Sequence, residues 1–231
     1  MLVFVLGTFA LLFFLAFSTW QSALVLRQIK LRANLLLLPI ENVMRLGLVL
    51  ICFLLGRASD LPNTQFGWTF DGAGDAITLG MIVGVLTALT IPLITRWAIR
   101  QFGKQVYSPI VVQSIMPRQR EEWLWVPIAL VPAVALEELL FRSLLLGGFA
   151  SFAPPILLAI IWSIIFGVMH VPQGSLGVVV ASLLGIVLSI LFLVTQNLLA
   201  PMVAHYLINV IQLVWASKDR YWENYGEGSH S

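Results

Sequence analysis

Charge is scarce in this chain: of its 231 residues only 10% are Asp, Glu, Lys or Arg, against 59% hydrophobic. A soluble domain carries about 25% charged residues and a disordered one far fewer apolar ones, so both classes are excluded. A single cysteine, Cys52, excludes an intrachain disulfide and any cysteine-built metal cluster. There is no internal repeat, no low-complexity tract and no dinucleotide or phosphate fingerprint. The formal net charge of +2 gives no sign of a nucleic-acid partner, because membrane proteins use Lys and Arg mainly to set orientation. No Ser–Lys, Ser–His–Asp or Cys–His nucleophile set stands out, although Ser163 lies within reach of His170 in sequence, and HExxH is missing.

What is present is apolar sequence in runs near the ~20 residues that cross a hydrocarbon core. These runs predict helices over 2–26, 43–56, 76–95, 123–148, 154–170, 175–195 and 198–216. The implied fold class is all-α, a polytopic transmembrane bundle of about seven spans forming one compact membrane domain, with a polar tail over 217–231. Residues 1–26 lack the basic start of a cleavable signal and read as the first span. The first loop carries Arg27, Lys30, Arg32 and Arg45 against Glu41; the second carries Arg57 against Asp60, Asp71 and Asp75; the third is basic again with Arg96, Arg100, Lys104, Arg118 and Arg120. Basic, acidic, basic predicts alternate sides, with the first and third loops cytoplasmic, the N-terminus outside and the tail inside a cell membrane. The stretch FGWTFDGAGD reads as an aromatic turn at headgroup level, and WAIRQFGKQVYSPIVVQSIMP as an amphipathic helix along the cytoplasmic face.

From Trp123 to Ser217 the only formal charges are Glu137, Glu138 and Arg142. An ionisable group in a membrane helix costs a few kcal/mol, about 2.5–3.5 on insertion scales, and by default marks a functional site. Glu138 and Arg142, at i and i+4, read as a structural ion pair. Glu137 projects about 100° away and has no cation of its own nearby in sequence. A carboxylate in a partly apolar pocket is suited to take a proton from water and return it to a leaving group. Two of the three histidines fall in later helices: His170, four residues after Phe166, and His205, four before Asn209. Each alone is as consistent with interhelical hydrogen bonding as with chemistry; together with Asn209 and Glu137 they make a stronger set. His230, in the tail, reads as solvated.

The ordered motifs EExxxR (Glu137, Glu138, Arg142), FxxxH (Phe166, His170) and HxxxN (His205, Asn209) resemble those of the CPBP intramembrane proteases, which include type II CAAX prenyl endopeptidases and bacteriocin-processing, Abi-type proteins. The resemblance covers residues 120–216 and leaves 1–119 as N-terminal helices without a signature. It implies a conical polar cavity, with Glu137 activating water with help from His170, and His205 and Asn209 stabilising the oxyanion. Glu138 and Arg142 would support them. Ser143 departs from the glycine common after the arginine.

Peptide hydrolysis needs a water, a base, oxyanion donors and an acid for the leaving amine, and Glu, His and Asn supply all of them. Zinc is a candidate cofactor, with Glu137, His170 and His205 as its ligands; a metal-free glutamate mechanism uses the same residues. The expected partners are the lipid bilayer and a peptide or protein substrate, lipidated if the family association holds. The rival functions are an ion- or proton-coupled transporter, which would spread polar residues over several helices, and a non-catalytic membrane scaffold.

Overall fold

The computed structural model describes residues 1–28 and 33–219, and among these the regular structure is all helical. The helices are α1 (Leu2–Gln28), α2 (Pro39–Arg57), α3 (Ala73–Phe102), the short α4 (Ile110–Ile115), α5 (Glu122–Glu138), α6 (Pro155–Val168), α7 (Gly174–Thr195) and α8 (Leu199–Asp219). Lys30, Arg32, Arg220 and His230 lie outside the described residues.

Six helical stretches are long and apolar enough to cross a membrane, against about seven expected: α1, α2, α3, α5 with its continuation to Gly147, α7 with the turn before it, and α8. The chain is a multi-pass integral membrane protein. The expected span over 154–170 is α6, which is apolar but only 14 residues long. It stops there because the chain turns at Met169 and His170 and enters a single 3₁₀ turn, Val171–Gln173, that contains Pro172.

Contacts between loops sort the helix ends into two groups. At one end the Met1 ammonium reaches the Ala58 carbonyl at 3.4 Å, Gln65 Nε2 donates to Gly147 O at 3.0 Å, and Leu198 N donates to Gly67 O at 3.0 Å. At the other, Asn34 Nδ2 donates to Ile115 O at 2.9 Å, and Ser108 N to Gln173 O at 2.9 Å. Successive long helices therefore alternate in direction. Asp60 and Asp71 fall at the first end, and Lys104, Arg118 and Arg120 at the second, the grouping expected from the loop charges.

The middle of the bundle is the continuation of α5. From Leu139 to Gly147 the chain winds as a π-helix, closed by Gly148 N on Ser143 O at 2.9 Å, an i→i+5 bond. Every residue from Glu138 through Phe149 is buried, as expected for a helix that is apolar all round. Upstream, Pro127 and Pro132 sit inside α5; each removes a backbone donor, which membrane helices tolerate when neighbours re-satisfy the freed carbonyls.

Two sequence expectations change. In FGWTFDGAGD, Phe66 is fully buried, stacked on Trp68 with ring centroids 4.8 Å apart and edge-on to Phe4 at 5.9 Å; only Phe70 of the three aromatics is exposed. The turn is a plug under the bundle end, pinned by Asn197 Nδ2 on the Thr69 and Asp71 carbonyls at 3.2 Å each. The segment from Trp97 to Pro117 is not one amphipathic helix. Gly103, at φ 86°, ends α3, and the extended Tyr107 and then Pro109 precede α4, which folds against the 3₁₀ turn at Val171.

Candidate active site

Small residues seat the helix that carries His205 and Asn209. Gly80, Gly84 and Ala88 recur every four residues along α3 and are buried. A Cβ on Gly84 would lie 2.9 Å from the backbone of Ala204, and one on Gly80 2.5 Å from Ala200 O. The two backbones are in direct contact, the small-xxx-small packing that holds membrane helices together without a hydrophobic driving force.

On α5, Glu138 is completely buried and Arg142 is 1% exposed. Arg142 Nη1 donates to Glu138 Oε1 at 3.1 Å and Nη2 to Gly185 O on α7 at 3.2 Å; its Cζ lies 4.8 Å from the centre of the Phe166 ring. The i, i+4 pair expected from the sequence is thus present, and it ties α5 to α6 and α7. The same Glu138 Oε1 lies 2.6 Å from His205 Nδ1. A carboxylate accepts here, so Nδ1 carries the proton and the other ring nitrogen is directed elsewhere. That nitrogen, Nε2, is 3.7 Å from Glu137 Oε2. His205 therefore bridges the two adjacent glutamates, one sealed and one open: the Glu137 side chain is 39% exposed.

His170, just past α6, places Nδ1 2.7 Å from Phe166 O. A carbonyl only accepts, so Nδ1 donates, and in the neutral ring Nε2 is left as an acceptor. Its ring sits 4.6 Å from that of Phe166, which also meets His205 at 6.0 Å and Phe141 at 5.1 Å. Phe166 thus packs on both histidines and under the Arg142 guanidinium. Glu137, His170, His205 and Asn209 line one cavity of about 420 Å³, and Glu137 and His170 also line a second of about 160 Å³ on the side of α1.

Residues 119–211 match the family described as Rce1-like type II CAAX prenyl endopeptidase. The chain carries a CPBP-family intramembrane protease domain. No curated protein and no solved structure matches it.

The Rce1-like domain contributes all six residues singled out from the sequence, and the fold gathers them into two tiers. Glu138 and Arg142 are sealed behind the cavity; Glu137, His170, His205 and Asn209 face it. Ser163 is not on the cavity wall: it is buried 3.5 Å from Ser189 and packs on Gly185. Ser143, the departure from glycine, donates to Phe66 O at 2.9 Å and so fastens the π-helix to the plug.

Sequence reasoning missed Arg45. It belongs to α2, outside the Rce1-like domain, yet lines the large cavity with Glu137 close enough for their charges to interact. Only its position inside an apolar run hinted at this. Tyr107, from the loop after α3, also lines that cavity, and burial pushes its phenol above the ordinary value. Among the described residues no three His, Cys, Asp or Glu side chains are grouped to hold a metal ion. Nδ1 of each cavity histidine is engaged by an oxygen of the protein, which leaves Nε2 of each ring as the nitrogen that would meet a zinc ion or a water.

Proposed function

We propose that this membrane protease is an endopeptidase that uses Glu137 to activate water at the neck between the two cavities. The observation that supports it most is the convergence of Glu137, His170, His205 and Asn209, from α5, the end of α6 and α8, on one cavity wall.

Water held between Glu137 and the lone pair of His170 Nε2 loses a proton to Glu137 as its oxygen attacks the scissile carbonyl. The oxyanion accepts from Asn209 Nδ2–H and, in a ring that enters the step already protonated on both nitrogens, from His205 Nε2–H. Glu138 holds His205 by Nδ1 and orients its ring; Arg142 in turn holds the Glu138 carboxyl in place. The C–N bond breaks as Glu137 passes its proton to the leaving amine. The substrate in this reading is a lipidated peptide tail, because the cavity is walled by Ile91, Leu130, Leu184 and Leu213 as well as by the polar set. The basic end of the bundle faces the cytoplasm, as expected for a plasma-membrane protein with its N-terminus outside.

Turnover of a farnesylated peptide in liposomes tests the reading, with metal content measured on the same samples. Glu137→Gln should abolish hydrolysis while the protein folds normally; hydrolysis that survives the substitution overturns the role of Glu137. A zinc mechanism requires that His205→Ala lose bound metal and that a chelator inactivate the parent. In the glutamate mechanism the parent works with substoichiometric metal.

A further inference from the structure

Among the described residues, Val111, Glu137, His170 and Gln173 line both cavities. Glu137 and His170 serve the hydrolysis and Val111 is apolar, so Gln173 is the polar group at the neck still without a task. Its main chain is held on both sides. Gln173 N donates to His170 O at 2.9 Å, across the 3₁₀ turn that contains Pro172, and Gln173 O accepts from Ser108 N at 2.9 Å. The next residue, Gly174, has φ 85°, and a Cβ there would lie 2.6 Å from Val106 O, so glycine is what lets the loop after α3 close on this turn. The Gln173 Cβ packs over buried Gly177, where a second Cβ would have no room. The carboxamide, by contrast, makes no hydrogen bond among the described residues, and neither Oε1 nor Nε2 is sealed from solvent. A pinned main chain thus carries an open donor and an open acceptor at the neck.

Resting on the protease reading, we infer that Gln173 is a substrate-binding residue whose carboxamide clamps the main chain of one residue flanking the scissile bond. In an extended chain the N–H and C=O of one residue point to the same side, as in the paired residues of an antiparallel ladder. A carboxamide can meet both at once, Nε2–H donating to the C=O and Oε1 accepting from the N–H. The consequence is that the neck reads backbone rather than side chains. It accepts a peptide only where that peptide is extended, because in a helix those two groups point in opposite directions along the axis.

The test uses a fluorescent farnesylated peptide and a set of depsipeptides, each with one backbone N–H outside the scissile bond replaced by an ester oxygen. Binding is measured on the Glu137→Gln protein in detergent, so that it is read without turnover, and kcat/KM on the parent; both are repeated with Gln173→Met. Loss of one hydrogen bond corresponds to roughly a 3–10-fold drop. In the parent, the ester at one position should cost that factor. Gln173→Met keeps the stem over Gly177 and loses both polar atoms, so the all-amide peptide should already be weakened and that ester should cost nothing more. If no ester costs more than about twofold in the parent, the inference falls whatever the variant does. An ester penalty that survives Gln173→Met also overturns it, and leaves the protease reading standing if the parent hydrolyses the peptide. Equal loss for every peptide in Gln173→Met, with the ester ratios unchanged, overturns it too and reduces Gln173 to a support for the turn at His170. A Gln173-dependent ester penalty in binding, without hydrolysis by the parent, would uphold the clamp and sink the protease reading instead.

Discussion

The two adjacent glutamates make the sharpest quantitative test, because their surroundings differ far more than their positions. Glu138 Oε1 takes hydrogen bonds from both Arg142 and His205 in a wholly buried setting. Glu138→Gln removes the charge and leaves the Arg142 guanidinium buried with only Gly185 O as a full acceptor; its Nε has no partner among the described residues. Orphaning one member of a buried pair costs about 3–5 kcal/mol. For a chain of this length that corresponds to a loss of about 6–20 °C in melting midpoint. Glu137→Gln removes a charge that is already 39% exposed and that meets His205 Nε2 only at 3.7 Å. Such a pair is worth about 0–1 kcal/mol, so its midpoint should move by no more than about 4 °C. The assay is thermal unfolding of the purified variants in one detergent, with turnover on the same samples. A double substitution, Glu138→Leu with Arg142→Met, removes both charges and should recover most of the lost midpoint, since apolar replacement of a buried pair is often neutral. It should recover no activity, because His205 has lost the acceptor that orients its ring. Equal midpoints for Glu137→Gln and Glu138→Gln, or a double variant less stable than Glu138→Gln, would refute this reasoning.

Asn209→Ala should lower kcat by about 10²–10³-fold with a modest change in KM, as for loss of one oxyanion donor, measured by steady-state kinetics in liposomes. Gly84→Leu should lower the melting midpoint and reduce activity together, because a Cβ already meets the Ala204 backbone and overpacking costs about 1–3 kcal/mol; unchanged kinetics would detach the seating of α8 from catalysis. Reporter fusions within 103–121 should report the cytoplasmic side, and an external signal there reverses the orientation.

Local spacing carried much of the site. The i, i+4 relation of Glu138 and Arg142 survives at 3.1 Å although the π-helix begins between them, since the pair needs only one turn of shared geometry. Phe166 and His170 were legible as one face for the same reason. What was illegible depends on distant chain. Nothing in the local sequence of Glu138 says that His205, 67 residues away, shares its Oε1. Arg45 looked like a loop charge because its run of apolar residues appeared to begin at 43, whereas Pro39 starts α2 and draws Arg45 into the bundle. The π-helix has no compositional signature in LLFRSLLLG. Phe66 read as an interfacial aromatic because composition does not distinguish a ring facing headgroups from one plugging a bundle.

The short α6 bears on the surrounding bilayer. Fourteen residues rise about 21 Å, roughly 9 Å less than a hydrocarbon core. Ile156, Leu157, Ile160, Ile164 and Val168 on this helix are exposed and so face acyl chains. Lipid beside α6 must either thin to match it or leave the turn at His170 below the headgroups. In both cases the mismatch falls on the helix that ends at His170. On the protease reading, bilayer thickness beside α6, set by lipid composition, becomes a condition on the site that no ligand has to impose.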